Sequence, residues 1–540
     1  MTAFLEFDFI VVGAGSAGSI VASRLSESGR FTVLVLEAGG WDRNPWIHIP
    51  LGVGKTIMNK AVNWTYHTEP VPQLFDRRLY MARGKVVGGC GAINGMVHVR
   101  GQLQDFEQWR ESGCDGWGWS DVLPYFKRSE DHYLGDTDLH GKGGPVAVSR
   151  PRGHSVLCDH FIAAGVNFGL ERNDDFNGIR QDGIGLYDHT VRRGLRSNSA
   201  IGALRPARRR GNVRVEVGAH VERIVFDSGR AVGINFRKAG ATLRQARARR
   251  EVVLCAGAIN TPQLLMLSGI GPQTHLFAHG IDLVAAREEV GRNLQDHLAV
   301  RIICKTRKRI TVNDDLRSLW RRGLMGTRFL VQRTGPLAFA SAQAGMFFRS
   351  RDGLPYVDAQ AFMMPFSVPG IGQQPHDFSA FTVSVTQSWP SSRGVVELRD
   401  AAPASPPAIR PNHLATEDDK RFFIDAVRTV RAVLRTAPMN GVIAEEYQPG
   451  PGVVKDDEIL DYVRQKANTI YHPCGTCRMG SDAESVVDAS LRVRGVTGLR
   501  VADASIMPRI TSGNINATCL MIGEKAADLI LADHDSAMGN

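Results

Sequence analysis

Apolar and polar positions fall into short, regular blocks near the N-terminus. Phe7 to Val12 is an apolar run of strand length, a glycine-rich turn follows, Ser19 to Leu25 is apolar at helical spacing, and Thr32 to Leu36 is a second apolar run. Strands without polar alternation are buried on both faces, so this pattern predicts a parallel βαβ unit. Glu251 to Ala256 repeats the signal of a buried strand and meets Gly257 to Pro262, with a helix predicted over Gln263 to Leu267. Near the other end, Leu499 to Ala502 predicts a strand and Ala517 to Ala532 a last helix. Between 301 and 465 the pattern changes to alternating segments such as Leu354 to Met363 and Gly394 to Arg399, which read as strands joined by turns.

Composition narrows the class. The chain has 540 residues, 43% apolar and 22% charged, which is globular and enough for two to four domains' worth of core. No apolar run approaches the length of a spanning helix. Met1 to Asp8 has neither a positive n-region nor an apolar h-region, so no signal peptide is expected, and eight scattered cysteines suit a reduced cytoplasmic chain better than a disulfide framework. The net charge is +10, with basic runs at Arg208–Arg210, Arg247–Arg250 and Lys305–Arg309. Aromatic residues are not interleaved with them as base stacking requires, so no nucleic-acid partner is expected.

The first turn carries the clearest chemistry. Gly13, Gly15 and Gly18 form a GxGxxG between strand and helix, with Glu37 at the end of the second strand about 20 residues on. Gly13 serves the tight turn, Gly15 the approach of backbone to a pyrophosphate, and Gly18 the close packing of helix on strand. The helix start at Ser16 and Ala17 offers free N–H groups to phosphate, and Glu37, followed by Ala38, accepts from a ribose hydroxyl. A second glycine-dense stretch, Arg83 to Asn94, with Gly84, Val87 and Gly88 and continuing through Gly95 to Val97, reads as a further cofactor contact.

Two C-terminal runs complete the set: Tyr471-His-Pro-Cys-Gly-Thr-Cys-Arg-Met-Gly480, and Asp503-Ala504 followed by Ser512-Gly-Asn-Ile-Asn516. With Gly84 to Asn94, Gly257 to Gly271, His140 to Pro145 and Gly291 to His297, they occur in the order found in the glucose–methanol–choline (GMC) oxidoreductases, which the chain resembles over nearly its whole length. It departs at Cys90, where Gly, Ser or Thr is usual. Stretches Asn44 to Pro50 and Asn63 to Pro70 are similar to those of bacterial membrane-associated dehydrogenases of aliphatic alcohols, polyethylene glycol or sorbose.

The resemblance implies an α/β fold: a doubly wound, Rossmann-like FAD domain interleaved with a sheet-based substrate domain. The expected division is 1–155, 196–300 and 466–540 for FAD, 156–195 as a connecting or substrate segment, and 301–465 for substrate. It implies oxidation of a primary alcohol to an aldehyde by hydride transfer to flavin N5, with His472 as base and Asn514 orienting the substrate oxygen, since an amide cannot titrate near neutral pH. Asn514, Ile515 and Asn516, at the start of the last helix, are expected beside the flavin pyrimidine, with Asp503 on the ribityl chain, the Val221 backbone at the adenine, and Ala256, Tyr471 and Ala504 at the cofactor. Electrons pass to a quinone, another carrier or O2. An oxidase, a lyase and a non-catalytic flavoprotein on the same scaffold remain alternatives.

Four smaller readings follow. Ile93 stands where some relatives attach FAD through His, so non-covalent FAD is expected. Cys474 and Cys477 form a CxxC without a second half-site, so they read as packing residues and no metal is expected. His297 reads as structural. The basic segment Lys305–Arg333, with Leu316, Leu319, Trp320, Leu324 and Phe329 on one face, reads as a lid helix, with peripheral contact at the inner face of the membrane as the alternative. Ala299 stands where choline-oxidising relatives carry Glu, so an uncharged alcohol is expected rather than choline, unless Asp314, Asp315 or Asp358 reaches the pocket.

Overall fold

The computed structural model describes residues 5–150, 153–238 and 242–536. The start of Met1–Asp8, read as lacking a leader, lies outside them. Two seven-stranded sheets organise the chain. In the first, Leu5–Val12 lies between Val33–Glu37 and Leu243–Leu254, with Val213–Val217 outside Val33–Glu37, all parallel. Leu243–Leu254 serves two neighbourhoods. Its first half alternates exposed and buried positions and pairs antiparallel with Arg230–Lys238. Its last four residues are buried on both faces and pair in parallel with Leu499–Val501. Burial on one face therefore goes with the hairpin, and burial on both with the parallel centre.

The predicted turn closes tightly on this sheet. Gly13 has φ +105, and a Cβ there would stand 2.4 Å from the Cys255 carbonyl oxygen. A Cβ on Gly18 would stand 2.0 Å from the Gly13 carbonyl oxygen. Both positions require glycine, one for backbone conformation and the other for the approach of helix Ser16–Leu25 to the turn. Against this helix packs the last one, Asn516–Ser536, with Gly523 close to Ala17.

The second sheet is antiparallel throughout, in the order Ile443–Gln448, Leu298–Thr306, Ala380–Gln387, Ala359–Met364, Ala344–Phe348, Gly183–Leu186, with Asn468–Thr469 beside Leu298–Thr306. Helix Glu417–Arg435 covers one face, burying Phe422, Phe423, Ala426, Val427 and Val430 with Val300, Ile302, Val383 and Val385. The alternate residues Ala299, Arg301, Thr382 and Ser384 face a cavity between the sheets. Leu298–Thr306 and Asn468–Thr469 both belong to this sheet, so the chain changes sheets at about His297 and Ile470.

Two segments differ from expectation. Leu354 to Asp358 is a turn before strand Ala359–Met364, because Gly353 and Pro355 interrupt it. Leu319–Gln332 is a helix, but only Met325 and Phe329 are buried. Leu319, Trp320, Leu324, Leu330 and Val331 stand exposed, so the apolar face expected to pack as a lid points outward. The expected stripe mixes two faces: Leu319, Trp320 and Leu324 point outward, whereas Phe329 lies with Met325 on the packed side.

Candidate active site

A cavity of about 510 Å³ runs from the glycine turn of the first sheet to the open face of the second. Every residue expected at the cofactor lines it except Gly18, Val87 and Gly88. Gly18 packs under the turn, Val87 is fully buried in the first sheet's core, and Gly88 ties the second glycine loop to the first through its N–H to the Ala14 carbonyl at 2.8 Å. These three shape the cavity wall from behind.

At its dinucleotide end, Glu37 accepts from the backbone N–H of Ala14 at 3.0 Å and of Gly39 at 2.8 Å. Burial pushes its carboxyl up to about 7. Asp503 accepts from the N–H of Gly257 at 2.8 Å and the Thr261 hydroxyl at 2.6 Å through one oxygen, and from the N–H and hydroxyl of Ser505 at 2.8 and 2.6 Å through the other. Four bonds fill a carboxylate's lone pairs, so this residue first anchors helix Gly257–Leu267.

The two helix starts, Ser16 and Asn516, meet at the cavity, where the Ser16 hydroxyl donates to Asn516 Oδ1 at 2.7 Å. Each presents backbone N–H groups without intrahelical partners. No atom lies within 4 Å of a Cβ built on Gly15 or Gly257, so the cradle has room beside bare backbone. Orphan donors, open glycine backbone and a cavity spanning both sheets suit an anionic dinucleotide carrying a flat ring. Arg196, buried, holds the second glycine loop by donating to the carbonyls of Gly91 and Asn94 and to Asn94 Oδ1. That residue was not anticipated; a lone arginine between Leu195 and Ser197 carries no signal in sequence.

His472 follows Tyr471, whose φ of +69 is uncommon for a residue with a side chain. Its backbone N–H donates to Asp296 Oδ1 at 2.8 Å. Its ring links two partners. His472 Nδ1 is 2.9 Å from His297 Nδ1, and His472 Nε2 is 3.3 Å from Asn514 Nδ2. His297 Nε2 lies 3.0 Å from the Ser388 carbonyl, which can only accept, so His297 carries its proton on Nε2. Burial lowers His297 to about 4, leaving it neutral with a lone pair on Nδ1. His472 must then donate from Nδ1, which leaves Nε2 an unprotonated lone pair facing Asn514. Burial first, then the neighbouring His297 and Arg83, depress the His472 pKa well below its ordinary value. Gln360 Nε2 donates to Asn514 Oδ1 at 3.2 Å, turning the Asn514 amino group toward His472.

The expectation that His297 is merely structural misses this contact. Gln-Asp-His followed by an apolar strand gave no hint of where the ring points. Cys474 and Cys477 are fully buried, and among the described residues no cluster of three metal-binding side chains occurs. Asp314 accepts from Thr311, Asp315 faces Arg321 at 3.5 Å, and Asp358 accepts from Ser350; none of the three lines the cavity. Among the described cavity residues the only carboxylates are Glu37 and Asp503, both at the dinucleotide end.

The GMC oxidoreductase family models match residues 7–299 for the N-terminal part and 390–523 for the C-terminal part. The oxygen-dependent choline dehydrogenase of Brucella suis biovar 1 is 42% identical over 538 residues, covering 99% of this chain and 97% of the relative. The corresponding enzyme of Rhizobium etli is 41% identical with the same coverage. Among solved structures, pyridoxine 4-oxidase from Mesorbium loti superposes with TM-score 0.87 at 31% identity, over 96% of this chain and 98% of that one. A variant of Aspergillus oryzae RIB40 formate oxidase reaches 0.93 at 27%, over 99% and 100%.

The chain therefore belongs to the GMC oxidoreductases. It is an FAD flavoprotein with an FAD-binding domain and a substrate domain, and it acts as an oxidoreductase.

The histidine pair makes a pH prediction. A base whose pKa is depressed stays neutral, and so active, down to that lowered pKa. The acid limb of alcohol-driven flavin reduction is expected below pH 6.5. His297→Ala removes a depressing neighbour and admits water, so the limb should move up toward 6.5. Stopped-flow rates from pH 5 to 8 check both; a wild-type limb at or above 6.5 contradicts the assignment.

Proposed function

We propose that the enzyme oxidises a primary alcohol to an aldehyde, with His472 as general base and Asn514 as the donor that holds the substrate oxygen. The observation that carries this reading is the ordered proton chain Ser388–His297–His472, which leaves the Nε2 lone pair of His472 beside an amide N–H. When bound, FAD supplies the two-electron acceptor for the α-hydrogen. An alcohol oxygen seated between His472 Nε2 and Asn514 Nδ2 would give its proton to the first and accept from the second, so charge on oxygen is met as it develops. Water exclusion follows from the burial of His297, Gln360 and Asp296 around the pair. His472→Ala should keep the yellow cofactor and lose roughly 10²- to 10⁴-fold in the rate of anaerobic flavin bleaching. Asn514→Ala should lose less. A near-normal rate in His472→Ala would remove the base assignment, and absence of bleaching by any alcohol would return the chain to the lyase or non-catalytic readings. Peroxide release during aerobic turnover separates oxidase from dehydrogenase.

FAD is held without a covalent bond in this proposal. Ile93 lines the cavity with an alkyl side chain, and the nearby Cys90 has its sulfur turned to the Gly84 N–H at 3.4 Å. Acid precipitation should leave the yellow colour in the supernatant, whereas a coloured pellet would point to a covalent link.

A second reading adds a membrane contact. On a helix of 3.6 residues per turn, Leu319, Leu330, Trp320, Val331 and Leu324 occupy an arc of about 140°, away from buried Met325 and Phe329. Arg321, Arg322 and Arg328 flank it. An exposed apolar arc edged with arginine suits an anionic lipid surface. The preceding helix, Val312–Arg317, braces the loop at the substrate end, with Asn313 Nδ2 donating to the carbonyls of Ser367 and His376 at 3.0 Å each. The protein should sediment with phosphatidylglycerol vesicles and not with phosphatidylcholine vesicles, and Trp320→Ser with Leu324→Ser should abolish this. Equal behaviour on both lipids would refute it. No described helix is long and apolar enough to cross a membrane.

A further inference from the structure

Strand Leu298–Thr306 is apolar toward helix Glu417–Arg435 and carries one cation toward the cavity, Arg301. Its side chain is half-buried, open to the cavity, and makes no ion pair or hydrogen bond with any described residue. Arg196 makes the contrast: it too lacks a carboxylate, yet its guanidinium donates to the backbone or side-chain oxygens of Ile47, Gly91 and Asn94. The groups whose field reaches Arg301 are the phenols of Tyr471 and Tyr462, which burial keeps neutral. Tyr471 Oη is itself buried without a hydrogen-bond partner.

Arg83, on the Tyr471 side of the cavity, donates to the carbonyls of Tyr471 and Ala82, and the other described wall residues near Arg301 are uncharged. Ser384 faces Arg301 across the sheet in register, with Thr382, Phe362, Met364 and Phe366 beyond. A partly desolvated cation with no counter-ion is a ready partner for an anionic ligand. Planar guanidinium donors match a carboxylate in bidentate fashion. A positive net charge of +10 further favours approach of an anion over that of a cation.

We propose that Arg301 binds a carboxylate at the far end of the alcohol, so that the substrate is a hydroxy acid whose hydroxyl reaches His472 while its acid group pairs with Arg301. This rests on reading the second sheet's open face as the substrate site, and it replaces the expectation of an uncharged alcohol. That expectation took the missing acid at Ala299 and the positive charge of Arg301 as disfavouring choline, and did not treat the guanidinium as a partner for a substrate acid. The acid group is a binding handle and is unchanged by the reaction.

The test first uses probes that cannot react. Straight-chain carboxylates of three to eight carbons and their primary amides are titrated into the FAD-loaded enzyme, and binding is read from the flavin difference spectrum and from calorimetry. At least one acid should bind roughly 30-fold more tightly than its amide. Arg301→Gln should bring that ratio within about threefold of one, and Arg301→Lys should keep part of it. Should Arg301→Gln fold poorly, Arg301→Met preserves the packing of the stem. In the reactive series, an ω-hydroxy acid should exceed its methyl ester in kcat/KM, and choline should fall below 3,3-dimethyl-1-butanol, its uncharged shape analogue. A wild-type acid-to-amide ratio near one, a ratio that survives loss of the guanidinium, or a preference for choline overturns the proposal. Failure of every alcohol to bleach the flavin would instead count against the alcohol reading, since the acid-to-amide ratio does not depend on turnover.

Discussion

The proton order between two imidazoles is the constraint on which the site depends. One backbone carbonyl, that of Ser388, sets it. Because that oxygen can only accept, the hydrogen on His297 is fixed, and the hydrogen on His472 follows. Burial keeps both rings neutral, so no second proton scrambles the order. The carbonyl and His297 flank the second sheet, whereas Asn514 leads into the helix that closes the first. A shift of one sheet against the other would therefore change the protonation pattern of His472 as well as its position.

Charge divides the cavity as clearly as the sheets do. Carboxylates occur at the dinucleotide end and are engaged by backbone N–H groups and hydroxyls. The far end has a guanidinium and neutral walls. A cationic headgroup finds no counter-charge where Ala299 stands and a like charge at Arg301. An overall identity of 42% to choline dehydrogenases describes the scaffold and does not fix the few side chains that select a substrate.

The first sheet was legible because its signals are local. Gly13, Gly15 and Gly18 lie within six residues, and the apolar runs around them admit one reading. His472 and Asn514 were legible as parts of long motifs. His297, Gln360 and Arg196 were not, since each acts through a contact more than 90 residues away in the chain. Arg301 lay in view: alternation along Leu298-Ala-Val-Arg-Ile302 puts it on the face of Ala299, and only the identity of that face, cavity or solvent, was missing. The segment Lys305–Arg333 does contain the helix Leu319–Gln332, but which of its faces packs depends on its neighbours, helix Val312–Arg317 and the turn at Pro336.

The hydrogen bond between Ser16 and Asn516 has a consequence for biosynthesis. The glycine turn leaves the ribosome about 500 residues ahead of its helix partner, the adjacent strand Leu499–Val501 and the Asn514 amide. At roughly 5–20 residues per second the half-formed cleft waits about 25–100 s for its far wall. During that interval the flank of helix Ser16–Leu25 that packs on Asn516–Ser536 is uncovered. A nascent chain stalled before Asn516 would therefore lack one of the two helix starts that meet at the cavity, however well the strands around the glycine turn had paired.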